Sequence, residues 1–398
     1  MSSGSAGRGL ALWCGWVMVA LALAIPVFAW LGPKGFAVML ALAGLLTLPA
    51  IRITDEDRPG LIVLFGALIW AAATTTWSPF QPKHADDSTA LKFAFELIFY
   101  WSAICGARRA DPILKQWALG VLACGMAVLG LVLVAEAATG AAIYRWFHAI
   151  YSPTVPIPLD RAEINVGQTS FVVAALLPLV ALGAPRGLRL AAAAIMTAGV
   201  GAAAVMFTFD APVLALVLAP LVGLAAWRWP TGTPRTMAGV AAGMFLTAPA
   251  IVWAVRRSGD YSTIQDSIPL SWSQRMGYWS HAIDWIGDKP LRGWGLDASK
   301  MFSPAIVLHP HNGALQVWLE LGAVGAVAAA AFWGVTLLRL SRPSRDPVLS
   351  ATAGCAAAYL LFGAINFGIW QEWWIAIGAL IATLAALHQP STSPHISE

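Results

Sequence analysis

The chain has 398 residues, 59% hydrophobic and only 11% charged, with a mean hydropathy of +0.70 and a formal net charge of +4. A soluble domain carries about 25% charged residues, so this composition excludes a water-covered globular protein and fits a chain whose solvent is lipid. The positive charge is spread over many short loops, which reads as membrane topology and argues against a nucleic-acid partner.

From the N-terminus, "MSSGSAGRGLALW" puts one Arg ahead of an apolar run without a small-residue cleavage site, so it reads as a retained first span. Crossing the hydrocarbon takes roughly 20 apolar residues. Runs on that scale fall near 10–31, 35–51, 60–76, 91–106, 113–138, 166–183, 188–208, 211–226, 237–254, 314–338, 348–366 and 373–387. The expected fold is one all-α integral membrane domain over 1–398, with about twelve transmembrane helices. A long, partly helical loop at 255–313 separates spans nine and ten, and a short polar tail occupies 388–398.

Lys and Arg in alternate loops set the orientation. One set of loops holds Arg8, Arg52, Arg58, Arg108, Arg109, Lys115, Arg186, Arg189, Arg228, Arg235, Arg339, Arg342 and Arg345. The short loops of the other set hold only Lys34, Lys83, Lys92, Arg145 and Arg161. The bias predicts both termini in the cytoplasm and the 255–313 loop outside. Trp77, Trp227, Trp229, Trp253, Trp370, Trp373 and Trp374 stand at predicted span ends, as an interfacial aromatic belt requires. Cys14, Cys105, Cys124 and Cys355 lie inside apolar runs without metal-ligand spacing and read as ordinary membrane-core residues.

Ionisable groups in spans are costly and mark functional candidates. Glu96, Glu136, Asp210 and Glu320 all fall in the predicted outer half, which suggests a site open to the outside rather than a transporter's midplane site. The outer loops supply cations to match: Arg161 in "PLDRAEINVG", and Arg256, Arg275 and Arg292 in the long loop. From Ser273 that loop reads as an amphipathic helix, with Met276, Trp279, Ile283 and Ile286 on one face. This face is expected to lie on the membrane surface, with Arg275 placed either to stack on Trp279 four residues later or to reach past it to an anion.

The segment "HPHNGALQVWLELGAVG" then opens span ten. Pro310 suits a first helical turn, and Asn312, Gln316 and Glu320 form one polar stripe, with His311 in the next stripe beside Leu315 and Trp318. Free N–H groups at such an entrance favour an anion, and Gly322 and Gly325 suit close helix packing.

These residues resemble the bacterial O-antigen ligase and O-antigen polymerase superfamily. "HPHNGALQVWLELGAVG" matches its His-Asn, nine residues, Gly-x-x-Gly signature; "RMGYWSHAIDWIGDKPLRGWGLDAS" is similar to its Arg, Trp, Pro-Leu-x-Gly-x-Gly segment, and "TTTWSP" to its first external loop. The resemblance implies an inverting, metal-independent inner-membrane glycosyltransferase without cofactor, acting in lipopolysaccharide biosynthesis at the periplasmic face. Its donor would be a glycan on undecaprenyl diphosphate. Its acceptor would be lipid A-core for a ligase, or another glycan for an O-antigen or exopolysaccharide polymerase. Carried over, His311 matches the family's essential histidine, Arg275 the arginine of the long loop, and Arg161 an arginine of the earlier loop. Asp210, in "FDAP", stands where many members have a Ser-Arg pair, an acid in place of a cation.

The chemistry fits the residues by itself. Glycosyl transfer from a diphosphate needs a base at the attacking hydroxyl and cations for the departing charge. His311 suits the first role; Arg161, Arg275, Arg256 and Arg292 suit the second, with His309, Asn312, Gln316, Glu320 and Asp210 in support. Two rivals are a twelve-span transporter and a metal site on His309 and His311 with His281.

Overall fold

A computed structural model describes residues 3–390, with side chains from residue 7; most of the predicted polar tail, from 391 onward, lies outside the described residues. The described chain is all-α. Its helices are α1 (Ser3–Leu31), α2 (Gly35–Leu46), α3 (Arg58–Thr74), α4 (Thr89–Arg109), α5 (Pro112–Thr139), α6 (Ala142–Tyr151), α7 (Leu159–Gly183), α8 (Arg189–Phe207), α9 (Asp210–Arg228), α10 (Gly232–Arg257), α11 (Tyr261–Ser267), α12 (Leu270–Asp288), α13 (Gly313–Leu338), α14 (Pro347–Ile365) and α15 (Glu372–His388).

Each predicted span falls on a helix. Ten are long and apolar enough to cross a membrane, and α2 and α15 are apolar but shorter. The chain is therefore a multi-pass membrane protein. Span two ends at Leu46, not 51, because Pro49 sits in a separate tight turn at Leu48–Ala50. Span six begins two turns early, at Leu159, so Arg161 and Glu163 belong to the helix rather than to the loop before it. Two spans open on the same local device: Asp111 and Asp346 cap α5 and α14 by accepting from Ile113 N–H and Val348 N–H at 2.9 and 2.7 Å, each followed by a proline. Exposed Val38, Ile62, Leu190 and Val205 face outward, as lipid contact allows.

The most buried span, α7, packs against α1, α5, α8, α9, α14 and α15. A second group joins α10, α12 and α13 through Phe245, Ala248, Ala282, Ile286 and Leu315. Here one expectation is corrected. The apolar face of α12, with Met276, Ile283 and Ile286 buried, meets α10 and α13 instead of the membrane surface. The helix also starts at Leu270 rather than Ser273.

At one end of the bundle, buried Asp57 receives Arg108 at 2.8 and 3.1 Å and Arg339 at 2.8 Å. The start of α3 is thereby tied to the ends of α4 and α13, which places three of the predicted like-sided loops together. Burial opposes the charge on Asp57, but hydrogen bonds from Arg108, Thr54 and Arg339 outweigh it and hold the carboxyl well below its usual range.

Candidate active site

The head of α13 differs from a simple helix entrance. Its first residue is Gly313, and Asn312 caps it by accepting from Leu315 N–H at 2.9 Å. Pro310 and His311 thus precede the helix, and His311 lies outside any helical stripe. The cap occupies part of the entrance that was expected to receive an anion. His311 takes a left-handed φ of 53°, a conformation that side chains other than Gly adopt only when their surroundings enforce it. Two bonds do so. Its backbone N–H donates to His309 Nδ1 at 3.2 Å, and its own Nδ1 lies 2.8 Å from the Asn366 carbonyl oxygen.

Asn366 organises the site. A carbonyl can only accept, so His311 Nδ1 carries the hydrogen and Nε2 keeps its lone pair. The Asn366 side chain meanwhile accepts from Arg275 Nη2 at 2.9 Å. One residue at the end of α14 therefore positions both the histidine and the arginine. Burial holds His311 below its ordinary value; the Asn366 carbonyl opposes that shift and the charge of Arg275 adds to it. His309 is pushed down to about 3 by burial, then by His311. The Tyr278 ring stacks on His311 at 6.0 Å.

Of the two expected arrangements Arg275 does not take the stack on Trp279; it lies over Trp272 at 4.9 Å. The indole of Trp279 is committed elsewhere, donating to the Pro310 carbonyl at 2.9 Å. Arg256 is also committed, to Asp284 at 2.7 Å and to the Ser280 carbonyl at 3.1 Å, where it straps α10 to α12. Arg161 is exposed on the first turn of α7, Asp210 is exposed at the start of α9, and neither contacts the His311 cluster. Glu96 faces Tyr100 on α4 and Glu136 faces Trp30, both elsewhere in the bundle. His281 is exposed beside Trp285, apart from His309 and His311. Among the described residues no three His, Cys, Asp or Glu side chains converge as metal ligands.

Of the expected polar stripe, Gln316 and Glu320 share one face of α13 while Asn312 serves as the cap, and protein groups fill that face. Gln316 Oε1 accepts from Ile369 N–H at 3.0 Å. Fully buried Glu320 accepts from Asp297 N–H (2.8 Å), Ser299 Oγ (2.6 Å), Gln316 Nε2 (3.2 Å) and Trp370 Nε1 (2.5 Å). These bonds clamp the loops at 296–299 and 369–370, which flank the His311 loop, onto α13.

Gly322 corrects a further expectation. It does not serve helix packing: its φ of 67° and ψ of −164° break α13. The backbone groups freed by the break are bonded by the Pro290–Gly295 turn. Ala323 N–H donates to the Pro290 carbonyl at 2.8 Å, and the Leu319 and Glu320 carbonyls accept from Trp294 and Gly295 at 2.9 and 2.8 Å. A Cβ on Gly322 would stand 2.3 Å from the Leu291 carbonyl oxygen, and one on Gly293 would stand 2.4 Å from that of Glu320. The two glycine motifs read separately in the sequence are thus halves of one interlock. A helical Gly→Ala change normally stabilises by up to about 1 kcal/mol. Gly322→Ala is expected to destabilise instead, by on the order of 3 kcal/mol, seen as a clear drop in thermal unfolding temperature in detergent. An unchanged midpoint would refute the interlock.

With this geometry in place, comparison with known proteins adds a direction. No family model matches the chain. Curated proteins of Rickettsia conorii, Rickettsia felis and Rickettsia typhi, each described as a "putative polysaccharide ligase", are 29%, 28% and 29% identical to it over 129 residues. The match covers 29% of this chain and 31%, 32% and 32% of those relatives, so the chain aligns with about a third of their length.

Proposed function

We propose that the protein is a polysaccharide ligase of the bacterial inner membrane, with both termini cytoplasmic and His311 at the periplasmic face. It would move a glycan from undecaprenyl diphosphate to lipid A-core. The observation that carries this reading is the double anchoring at Asn366, which leaves His311 Nε2 free as a base while holding a guanidinium close by. The motif resemblance and the polysaccharide-ligase relatives supply the substrate class.

In the proposed step His311 Nε2 takes the proton of the acceptor hydroxyl as its oxygen bonds to the anomeric carbon. The bond from that carbon to the diphosphate oxygen breaks on the opposite face, inverting the centre. Undecaprenyl diphosphate leaves with the electron pair, and Arg275 stabilises the negative charge it carries away. Arg256 drops out of this clamp because Asp284 already holds it.

The surface-glycan ladder of a deletion strain tests the assignment. A ligase leaves lipid A-core bare while polymerised glycan accumulates on its lipid carrier. A core bearing a single repeat unit would overturn ligase in favour of a polymerase using the same donor, and an unchanged ladder would overturn both.

A further inference from the structure

The spans α5 and α8 touch closely over one stretch and part over another. A Cβ on Gly199 would stand 2.2 Å from the Gly130 carbonyl oxygen, and one on Gly130 would stand 2.9 Å from that of Ile195. The two backbones therefore meet there with no side chain between them. Toward their starts the helices part and leave a groove of about 360 Å³, within the size range of ligand sites. Gly120, Ala123, Cys124 and Ala127 form its α5 wall at helical spacings of three and four, and Ala191 and Ile195 its α8 wall. The α7–α8 turn closes one end with Ala184, Pro185 and Leu188. Gly183 sets that turn against α5, since a Cβ there would fall 2.9 Å from the Leu119 carbonyl oxygen. Cys124, Leu188 and Ala191 are exposed, so the mouth opens on the outer surface of the bundle.

Both walls belong to membrane spans, so the mouth faces hydrocarbon. A water held in a cavity needs two to four polar partners, and these walls offer alkyl groups and helix backbone. A hydrocarbon chain fills such a space. The closed end carries cations. Arg189 Nε donates to the carbonyl of Ala184, a wall residue, at 3.2 Å, which pins the guanidinium against the groove. Arg186 follows Pro185 and is exposed, and neither arginine has an ion pair among the described residues. This end of the bundle is the one where Asp57 binds Arg108 and Arg339: α5 begins just past Arg108, and Lys115 Nζ returns to the Arg108 carbonyl at 3.0 Å. Because α13 runs from the His311 site to Arg339, the groove lies in the half of the bilayer opposite that site. A lipid whose diphosphate sits at Arg275 cannot also place it at Arg189.

We infer that the α5–α8 groove holds one acyl chain of an anionic phospholipid, with the headgroup phosphate at Arg186 and Arg189. The chain restores the packing contacts that the parting of the helices removes. The guanidinium forks suit the phosphate oxygens. This lipid is a structural partner and takes no part in glycan transfer, so the inference does not rest on the ligase reading above.

The test uses the full chain in dodecyl maltoside, with phosphatidylglycerol or zwitterionic phosphatidylcholine added and retained lipid counted by native mass spectrometry. The unsubstituted protein is expected to keep one phosphatidylglycerol about tenfold better than phosphatidylcholine. The double variant Arg186→Gln, Arg189→Gln should bring phosphatidylglycerol down to the phosphatidylcholine level. Ala191→Phe, which fills the groove from its exposed edge, should abolish retention of either lipid. Cys124→Phe fills it from the opposite wall and gives the same reading should the first variant fold poorly. Phosphatidylglycerol retention unchanged in both filling variants would overturn the groove, and retention unchanged in the double arginine variant would overturn the headgroup contact. A co-purified polyprenyl phosphate displaced by Ala191→Phe would overturn the phospholipid in favour of a carrier lipid. A chain that transfers no glycan would still give these binding results, so the two readings fail separately.

Discussion

His311→Ala is expected to give a protein that inserts, folds and binds the lipid-linked donor but transfers glycan at least about 100-fold more slowly, the range set by loss of a general base. The fold should survive because Asn312, not His311, caps α13, and Glu320 independently clamps the surrounding loops. Donor binding should survive because Arg275 keeps its own bond to Asn366. The unsubstituted protein carries a linked signature in pH. His311 is held below the ordinary histidine value of 6.5 by burial, against the Asn366 carbonyl and with the charge of Arg275. The base form therefore predominates at neutral pH, and transfer should fall on acidification, with a midpoint below 6.5. Full transfer by the purified alanine variant would remove His311 from the chemistry.

Arg275→Ala should act first on the donor. Hydrogen bonds to a charged group contribute about 1.5–3 kcal/mol, so donor affinity is expected to drop about 10- to 100-fold. Removing the positive charge also removes one of the forces that hold His311 down. The acid limb of the rate profile should therefore move upward, toward the ordinary histidine value. A merely structural arginine would not produce that shift together with weaker donor binding. Unchanged donor affinity, measured by equilibrium binding, would sink the clamp.

Much of this was legible in the residues. The spans were, because hydrophobicity over roughly 20 residues is a local quantity and an apolar run of that length satisfies its own backbone in lipid as a helix. Of the stripe Asn312, Gln316, Glu320, the last two do share one face and bond to each other, whereas Asn312 caps the helix instead. Arg275 and His311 were both marked as functional candidates, and the structure brings them to one residue. The short α6 was not anticipated: ten residues of "AIYRWFHAIY" are too few for a span, and the helix closes onto neighbouring elements with Tyr144 buried.

What local pattern could not supply was every pairing across distance. Asn366 follows a span of Leu, Ala and Gly with no signal of its own, and it matters only because packing brings the end of α14 to the head of α13. Arg256 and Arg292 looked equivalent as loop cations. Tertiary contact gave Asp284 to the first and left the second over Trp77 without an ion pair among the described residues. Gly293 and Gly295 stood in the Pro-Leu-x-Gly-x-Gly segment and Gly322 read as a packing glycine, but that these segments meet at a break in α13 depends on bonds between residues about thirty apart. By itself the sequence determined which segments enter lipid and which residue types could carry chemistry at their ends, since hydropathy and helical period act over a few turns. Only the tertiary structure decided which polar groups satisfy one another and which are left free for a ligand, because a buried donor or acceptor takes whatever partner packing presents.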